Sequence, residues 1–221
     1  MFQACVFDFD GTIVDSEKHW GQLGDERFFP SIVPGWTKDD GARTQGLGRG
    51  ETYDLLVKEY GLQMPFSLFN ATLESCVTCI YDDRCSLVPG MEEFLHTLNA
   101  YGIPCAIASA SPRRWIDTAL HRLGQHNRFH AICSWDDVQK GKPDPEVFLL
   151  AADRLHVSPS RCMVLEDSAH GIAAAKAAGM HCIALATAMN TRQNLSLADR
   201  IITHPREIDM TMFRSNTPSS L

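Results

Sequence analysis

The stretch Phe7-Asp8-Phe9-Asp10-Gly11-Thr12-Ile13-Val14-Asp15-Ser16 decides the fold. A short apolar run, Gln3 to Phe7, ends in two carboxylates two residues apart, and a glycine follows at once. Residues i and i+2 of a strand share a face, so Asp8 and Asp10 can both point past the strand's carboxyl end, where open α/β sheets bind their ligands. Two like charges held so close repel, and they are usually held by a cation or a shared proton. An isolated Asp-x-Asp after a strand is more often a helix cap or a turn than a catalytic pair. The rest of the chain reverses that reading.

From Leu87 onward, short apolar runs alternate with helical stretches. The runs are Pro104 to Ser109, Ala131 to Ser134, Arg161 to Glu166, His181 to Ala186 and Arg200 to Thr203; between them lie Met91 to Tyr101, Arg113 to Leu123, Pro145 to His156 and Ala169 to Gly179. This alternation predicts βαβ units and therefore an α/β fold, a doubly wound parallel sheet covered on both faces. Ser111-Pro112 and Asp144-Pro145 read as caps and first turns of helices, and Gly102 and Gly179 as helix stops. The first strand must join this sheet, because alone it could not satisfy its backbone groups. Between them, Ser16 to Asp83 reads as helices, with apolar residues at wide spacing and no convincing strand. The expected organisation is an α/β core formed by residues 1–15 and 87–213, a helical cap inserted at 16–86 on two linkers, and a disordered tail at 214–221.

The chain has 221 residues, enough for a substantial core, and its 44% apolar and 21% charged content is ordinary for a globular protein. A net charge of −7, with no long run of Lys or Arg, argues against nucleic acid as a partner. The absence of a long apolar stretch or a leader pattern predicts a soluble cytoplasmic protein without a membrane partner. Cys5, Cys105, Cys133, Cys162 and Cys182 lie in apolar strand-like runs, where a free thiol packs as a small hydrophobe. Cys76 and Cys79 form a lone Cys-x-x-Cys without a second pair, a weak zinc signal.

Polar residues recur where the strands should end. The second run closes on Ser109, and its hydroxyl together with backbone N–H groups such as that of Ala110 suits a phosphate oxygen; Ser111 reads as the N-cap of the next helix. In Lys140-Gly141-Lys142-Pro143-Asp144-Pro145, Pro143 pushes Lys142 toward extended geometry, so its ammonium has a set direction from which to neutralise phosphate. Met163-Val164-Leu165 runs into Glu166-Asp167-Ser168, a second acidic pair at a second strand end. Asp8 with Asp167, and Glu166 as a further ligand, supplies hard oxygens for Mg2+, which takes few carboxylates and keeps waters or substrate phosphate as its other ligands.

As a set, Asp8-Phe9-Asp10-Gly11-Thr12, Ser109, Lys142 in Gly-Lys-Pro-Asp-Pro, and Glu166-Asp167-Ser168 resemble, in order and spacing, the four motifs of the haloacid dehalogenase superfamily. The helical insertion and the Ala108-Ser109-Ala110-Ser111 run are similar to its sugar-phosphate phosphatases and β-phosphoglucomutases. The resemblance implies a Rossmann-like core and a Mg2+-dependent phosphatase of a small phosphorylated metabolite, working through an aspartyl phosphate. Asp8 would be the nucleophile and metal ligand; Asp10 would be the general acid and base, and its backbone carbonyl a metal ligand. The resemblance also places Arg49, in Gly46-Leu47-Gly48-Arg49, and His19 among substrate-binding residues of the cap, and implies a cap that closes over substrate. Asp15-Ser16-Glu17 departs from the usual mutase pattern and shifts the expectation toward hydrolysis, with phosphoryl transfer back to a sugar as the alternative. A receiver-type signalling domain would need only about 120 residues, no insertion, and a phosphorylated Asp on a later strand. A cap that moves needs free surface, which predicts a monomer.

Overall fold

The computed structural model describes residues 1–44 and 49–213, apart from the side chains of Asp25, Lys38 and Ala42. The Gly46-Leu47-Gly48 loop and the tail 214–221 therefore lie outside the described residues. By contact, the chain divides into two compact units, Met1–Asp15 with Ser86–Leu221, and Ser16–Cys85.

The first unit is built on a six-stranded sheet: β1 (Ala4–Phe7), β2 (Cys105–Ala108), β3 (Ala131–Cys133), β4 (Cys162–Glu166), β5 (His181–Leu185) and β6 (Arg200–Ile202), in spatial order β3-β2-β1-β4-β5-β6. Each neighbouring pair is parallel. This is the doubly wound arrangement that the alternation of runs predicts, with strand order reversing beside β1. Every residue of β1, β2 and β4 is buried, as expected of parallel strands covered on both faces. The two faces separate by the strand period of two. Ala4 and Val6 of β1 join Ala106, Ala108, Val164 and Cys182 in one cluster with Phe148, Ala151 and Ala152 of one helix and Ile172, Ala174 and Ala175 of another. Phe7 points to the opposite face and meets Phe94 edge-on at 6.0 Å. Small residues on the first face let an alanine-rich helix approach the sheet closely; Phe7 fills the wider space on the other.

The regular elements of the second unit's described residues are all helical: α1 (Glu17–Leu23) continues through a π-helical turn, Gly24–Phe28, into α2 (Phe29–Ile32), followed by α3 (Lys38–Thr44), α4 (Arg49–Tyr60), α5 (Phe66–Cys79) and a further π-helical turn, Ile80–Arg84. It has its own aromatic core, with Phe28, Trp36, Leu56 and Phe69 buried together and Phe29 stacked on Trp36 at 4.4 Å. In the first unit, Asp15 closes the insertion's two crossing points. Its N–H donates to the Ser86 carbonyl, and its carboxylate accepts from Ser86 N–H at 2.7 Å and Ser86 Oγ at 2.9 Å. The sheet's covering helices are α6 (Met91–Ala100), α7 (Arg113–Arg122), α8 (Glu146–Arg154) and α9 (Ala169–Ala177).

All eight cysteines are free thiols. Burial pushes the Cys105 thiol up to about 12 and that of Cys133 up to about 11, so these two are packing residues rather than nucleophiles. Among the described residues no helix is long and apolar enough to cross a membrane.

Candidate active site

Asp8 is the first residue past β1, and its N–H continues the ladder to the Leu165 carbonyl of β4 at 3.0 Å. Its side chain is thereby fixed at the carboxyl end of the sheet's central strands. The chain then turns back sharply: Gly11 N–H donates to the Val14 carbonyl at 2.8 Å, and the N–H groups of Ile13 and Val14 both donate to Phe9. Gly11 adopts φ +78°, and a Cβ on it would stand 2.2 Å from Asp167 Oδ2. Glycine is required here twice, for a left-handed turn and for the room that seats the Asp167 carboxylate against the backbone of the first motif.

Lys142 reaches this point from the loop before α8. That loop is anchored at both ends: the Glu146 carboxylate accepts the N–H groups of Gln139 and Lys140, and Asp144 Oδ1 accepts the N–H of Glu146 at 3.1 Å. Trp135, on the turn after β3, lies so close to Gly141 that a Cβ there would meet its ring at 2.5 Å. Held in this way, Lys142 Nζ donates to Asp8 Oδ1 at 2.5 Å and to Glu166 Oε1 at 2.6 Å, and sits 4.8 Å from the centre of the Phe148 ring. One buried ammonium therefore bridges the ends of β1 and β4.

Glu166 is fully buried. Its Oε1 takes the lysine, while Oε2 accepts from the N–H groups of Asp167 and Ser168 and from Ser168 Oγ, at 2.8, 2.7 and 3.0 Å. The hydroxyl of Ser168, not either carboxylate, caps α9, accepting from Gly171 N–H at 3.0 Å. That leaves a buried charge with satisfied oxygens, the only economical way to bury a carboxylate.

The third group lies at the end of β2. Ser109 Oγ accepts the N–H of Ser111 at 2.9 Å, and Ser111 Oγ donates to Asp10 Oδ2 at 2.5 Å. The expectation that Ser111 caps α7 is corrected here: Pro112 occupies the cap position, in an extended conformation and without a side-chain cap bond. The serine hydroxyl, released from that role, holds an aspartate 101 residues away. Ser109, Ser111 and Asp167 are all buried.

The electrostatics follow from this burial. Loss of water pushes the Asp8 carboxyl up to about 8; Lys142 opposes the shift, while Glu166 and Asp10 add to it. Burial alone would lower Lys142, but Asp8 and Glu166 outweigh it and hold the ammonium well above the ordinary lysine range. The site thus carries a fixed cation among an excess of carboxylates.

Asp8 and Asp167 place two buried carboxylates past neighbouring strands. Among the described residues no cluster of three or more His, Cys, Asp or Glu side chains forms a metal cage. A cation here would rely on few carboxylates completed by carbonyl, water and substrate oxygen, which is the coordination habit of Mg2+, and the donor set fits that ion.

His19 and Arg49, expected as cap residues, belong to the second unit. His19 lies half-buried on α1, and Arg49, at the start of α4, pairs with Glu74 of α5 at 2.8 Å. Two polar residues of the first unit escaped the sequence reading. Ser111 was hidden behind a plausible capping role. Asn190, in the loop after β5, carries no motif at all.

Comparison with known proteins shows the family. Residues 5–185 match the family model described as haloacid dehalogenase-like hydrolase. The chain is 34% identical to YhcW of Bacillus subtilis over 83% of each chain. It is 30% identical to the phosphorylated carbohydrates phosphatase of Thermotoga maritima, over 80% of this chain and 82% of that one. The crystal structure of CbbY from Rhodobacter sphaeroides in complex with phosphate superposes with a TM-score of 0.81, covering 96% of this chain and 99% of that one at 24% identity, which shows a shared fold. The chain belongs to the haloacid dehalogenase-like hydrolases.

Proposed function

We propose that this protein is a Mg2+-dependent phosphatase that hydrolyses the phosphomonoester of a small metabolite, a sugar phosphate in the first instance, through an aspartyl phosphate on Asp8. The chain is a phosphomonoester hydrolase of its family, which its match to the family model and to the Thermotoga phosphatase supports. The observation that carries the finer reading is the single ammonium of Lys142 bridging Asp8 and Glu166, beside an Asp10 held by a serine hydroxyl.

In this reading Asp8 attacks phosphorus in line with the leaving oxygen, giving an acyl phosphate and splitting one displacement into two easier ones. Protonated Asp10 gives its proton to the departing alkoxide; as a carboxylate it then takes a proton from the water that attacks the acyl phosphate, which regenerates both residues. Ser111 keeps Asp10 in one orientation through both half-reactions. Lys142 offsets the charge of nucleophile and phosphoryl group, and the hydroxyl of Ser109 with the N–H of Ala110 donates to phosphoryl oxygens. Bound at Asp8, Asp167 and the Asp10 carbonyl, Mg2+ would supply the positive charge that lets an anionic nucleophile approach an anionic phosphate. Glu166, with both oxygens engaged, serves this site by holding Lys142. Arg49 and His19 enter this reading only as the substrate-binding residues of the cap that the family resemblance implies.

The test is phosphate release from a panel of sugar and polyol phosphates, with and without Mg2+, including β-glucose 1-phosphate with its sugar product identified. Metal-dependent release, abolished in Asp8→Asn, is expected. Full activity in Asp8→Asn would overturn the covalent mechanism, and conversion of β-glucose 1-phosphate to glucose 6-phosphate without release would replace hydrolysis by mutase chemistry.

A further inference from the structure

The loop between β5 and β6 holds no residue of the four motifs, yet one of its side chains is buried against the reaction centre. Asn190 is 6% exposed. Its Nδ2 donates to the carbonyl of Asp167 and to the carbonyl of Leu185, each at 2.8 Å, and its Oδ1 accepts the N–H of Thr187 at 2.8 Å. Leu185 is the last residue of β5, and Asp167 is the first residue past β4. The carboxamide therefore fastens the peptide of Asp167 to the end of the neighbouring strand.

From this we infer that Asn190 is a positioning residue for the divalent cation: it fixes the backbone of Asp167 so that its carboxylate is presented from its seat against Gly11. The inference rests on the reading of Asp167 as a metal ligand. Three features carry it. The Asp167 carboxylate has little lateral freedom, because the Gly11 backbone stands where a Cβ would be only 2.2 Å from Oδ2. The N–H of the same residue is held from the other side by Glu166 Oε2 at 2.8 Å. With its N–H held by Glu166 and its carbonyl by Asn190, the peptide groups on both sides of the Asp167 Cα are fixed, and only the side-chain torsions remain. Residues that orient ligands in this way typically change metal affinity or activity by about 10–100-fold when they are replaced.

The chemistry also dictates the probe. An aspartate has the volume of asparagine but no donor, so Asn190→Asp would set carboxylate oxygens against two carbonyl oxygens and release the Asp167 peptide. Asn190→Ala removes the same donors without adding charge, and leaves space for water to satisfy the two carbonyls. Gln193→Ala serves as a control on the same loop: its side-chain oxygen accepts the N–H of Ala169, at the start of α9, at 3.2 Å.

The experiment is direct Mn2+ binding to the whole protein, read from the loss of the free-ion signal in electron paramagnetic resonance, alongside the Mg2+ concentration giving half-maximal phosphate release. The expected result is a dissociation constant raised about tenfold or more in Asn190→Asp and in Asn190→Ala. The half-maximal Mg2+ should move with it, kcat at saturating metal should be largely retained, and Gln193→Ala should stay within twofold of the parent. A residue that merely braces the loop would lower the unfolding midpoint without moving metal affinity. Unchanged Mn2+ affinity in a folded Asn190→Ala protein would overturn the inference while leaving the proposed phosphatase standing. A parent protein that binds no Mn2+ would instead overturn the metal-dependent reading on which it rests.

Discussion

Replacing Gly171 by alanine sets two well-understood effects against each other, and the structure decides which wins. Gly171 lies in the first turn of α9, where alanine is the better helix former by up to about 1 kcal/mol. A Cβ at this position, however, would fall 1.5 Å from Glu166 Oε1 and 1.9 Å from its carboxyl carbon. No small adjustment accommodates that overlap, because Glu166 ends a buried strand and α9 is packed on the sheet. The carboxylate must leave, giving up its 2.6 Å bond to Lys142 and the N–H bonds of Asp167 and Ser168. Breaking a buried ion pair from one side costs roughly 3–5 kcal/mol. Set against the helix gain, the net loss is about 2–4 kcal/mol, or roughly 5–15 °C in Tm for a protein of this size. Urea and thermal unfolding would measure it. Gly21→Ala in α1 is the matched control, since nothing lies within 4 Å of its added Cβ; it should be neutral or stabilising by up to about 1 kcal/mol. Because Lys142 would lose one of its two carboxylates, phosphatase activity should fall with stability in Gly171→Ala alone. A Gly171→Ala protein as stable as its parent would refute the claim that Glu166 occupies this seat.

Ser111→Ala should lower kcat by about 10–100-fold while leaving substrate KM nearly unchanged, since a hydrogen bond to a charged group is worth roughly 1.5–3 kcal/mol and this one orients Asp10, the proposed acid–base residue, rather than the substrate. Steady-state kinetics decide it, and a change confined to KM would be the wrong result. Gly141→Ala should also depress kcat by pressing the Lys142 loop off Trp135, and activity should return when Trp135→Ala is added to the same chain. Burial raises the Asp199 carboxyl, but bonds from Lys176 and the Cys182 N–H outweigh it and hold the group below the ordinary range. A depressed folded-state value stabilises above the unfolded value near pH 3.9, and that contribution disappears as pH falls through the lower folded value. Comparing urea midpoints at pH 6 and pH 3, Asp199→Asn should therefore lose less stability on acidification than the parent, and an equal loss would contradict the assignment.

The core was legible in the sequence because its signals are local. Each strand of the sheet is a short apolar run bounded by a turn or helix start, and the six observed strands fall within the runs at 3–7, 104–109, 131–134, 161–166, 181–186 and 200–203. The side chains of the candidate site were legible for a related reason: a carboxylate, hydroxyl or ammonium immediately past a buried strand has few structural excuses. Ser111 had such an excuse. A serine before a proline at a helix start is ordinarily a cap, and only the extended conformation of Pro112 shows that the cap position has moved one residue along. The π-helical turn at Gly24–Phe28 was equally hidden, since its residues carry the same spacing of apolar groups as an α-helix.

Asn190 marks a deeper boundary. Its partners are two carbonyls and one N–H, groups that every residue but proline possesses, so nothing in the types of Asp167, Leu185 or Thr187 announces the contact. Lys142 was readable because its partners, Asp8 and Glu166, are themselves charged and expensive to bury alone. A residue that acts on charges therefore leaves a trace at both ends of its interaction, while a residue that acts on backbone leaves a trace at one end at most. Both kinds are needed here. The Lys142 bridge sets the charge of the site, yet the reach of Asp167 depends on where its peptide is held, and that peptide is held by Glu166 on one side and Asn190 on the other. The charged residues of such a site can be proposed from sequence; those that hold them become visible only when the backbone's own hydrogen bonds are followed to their ends.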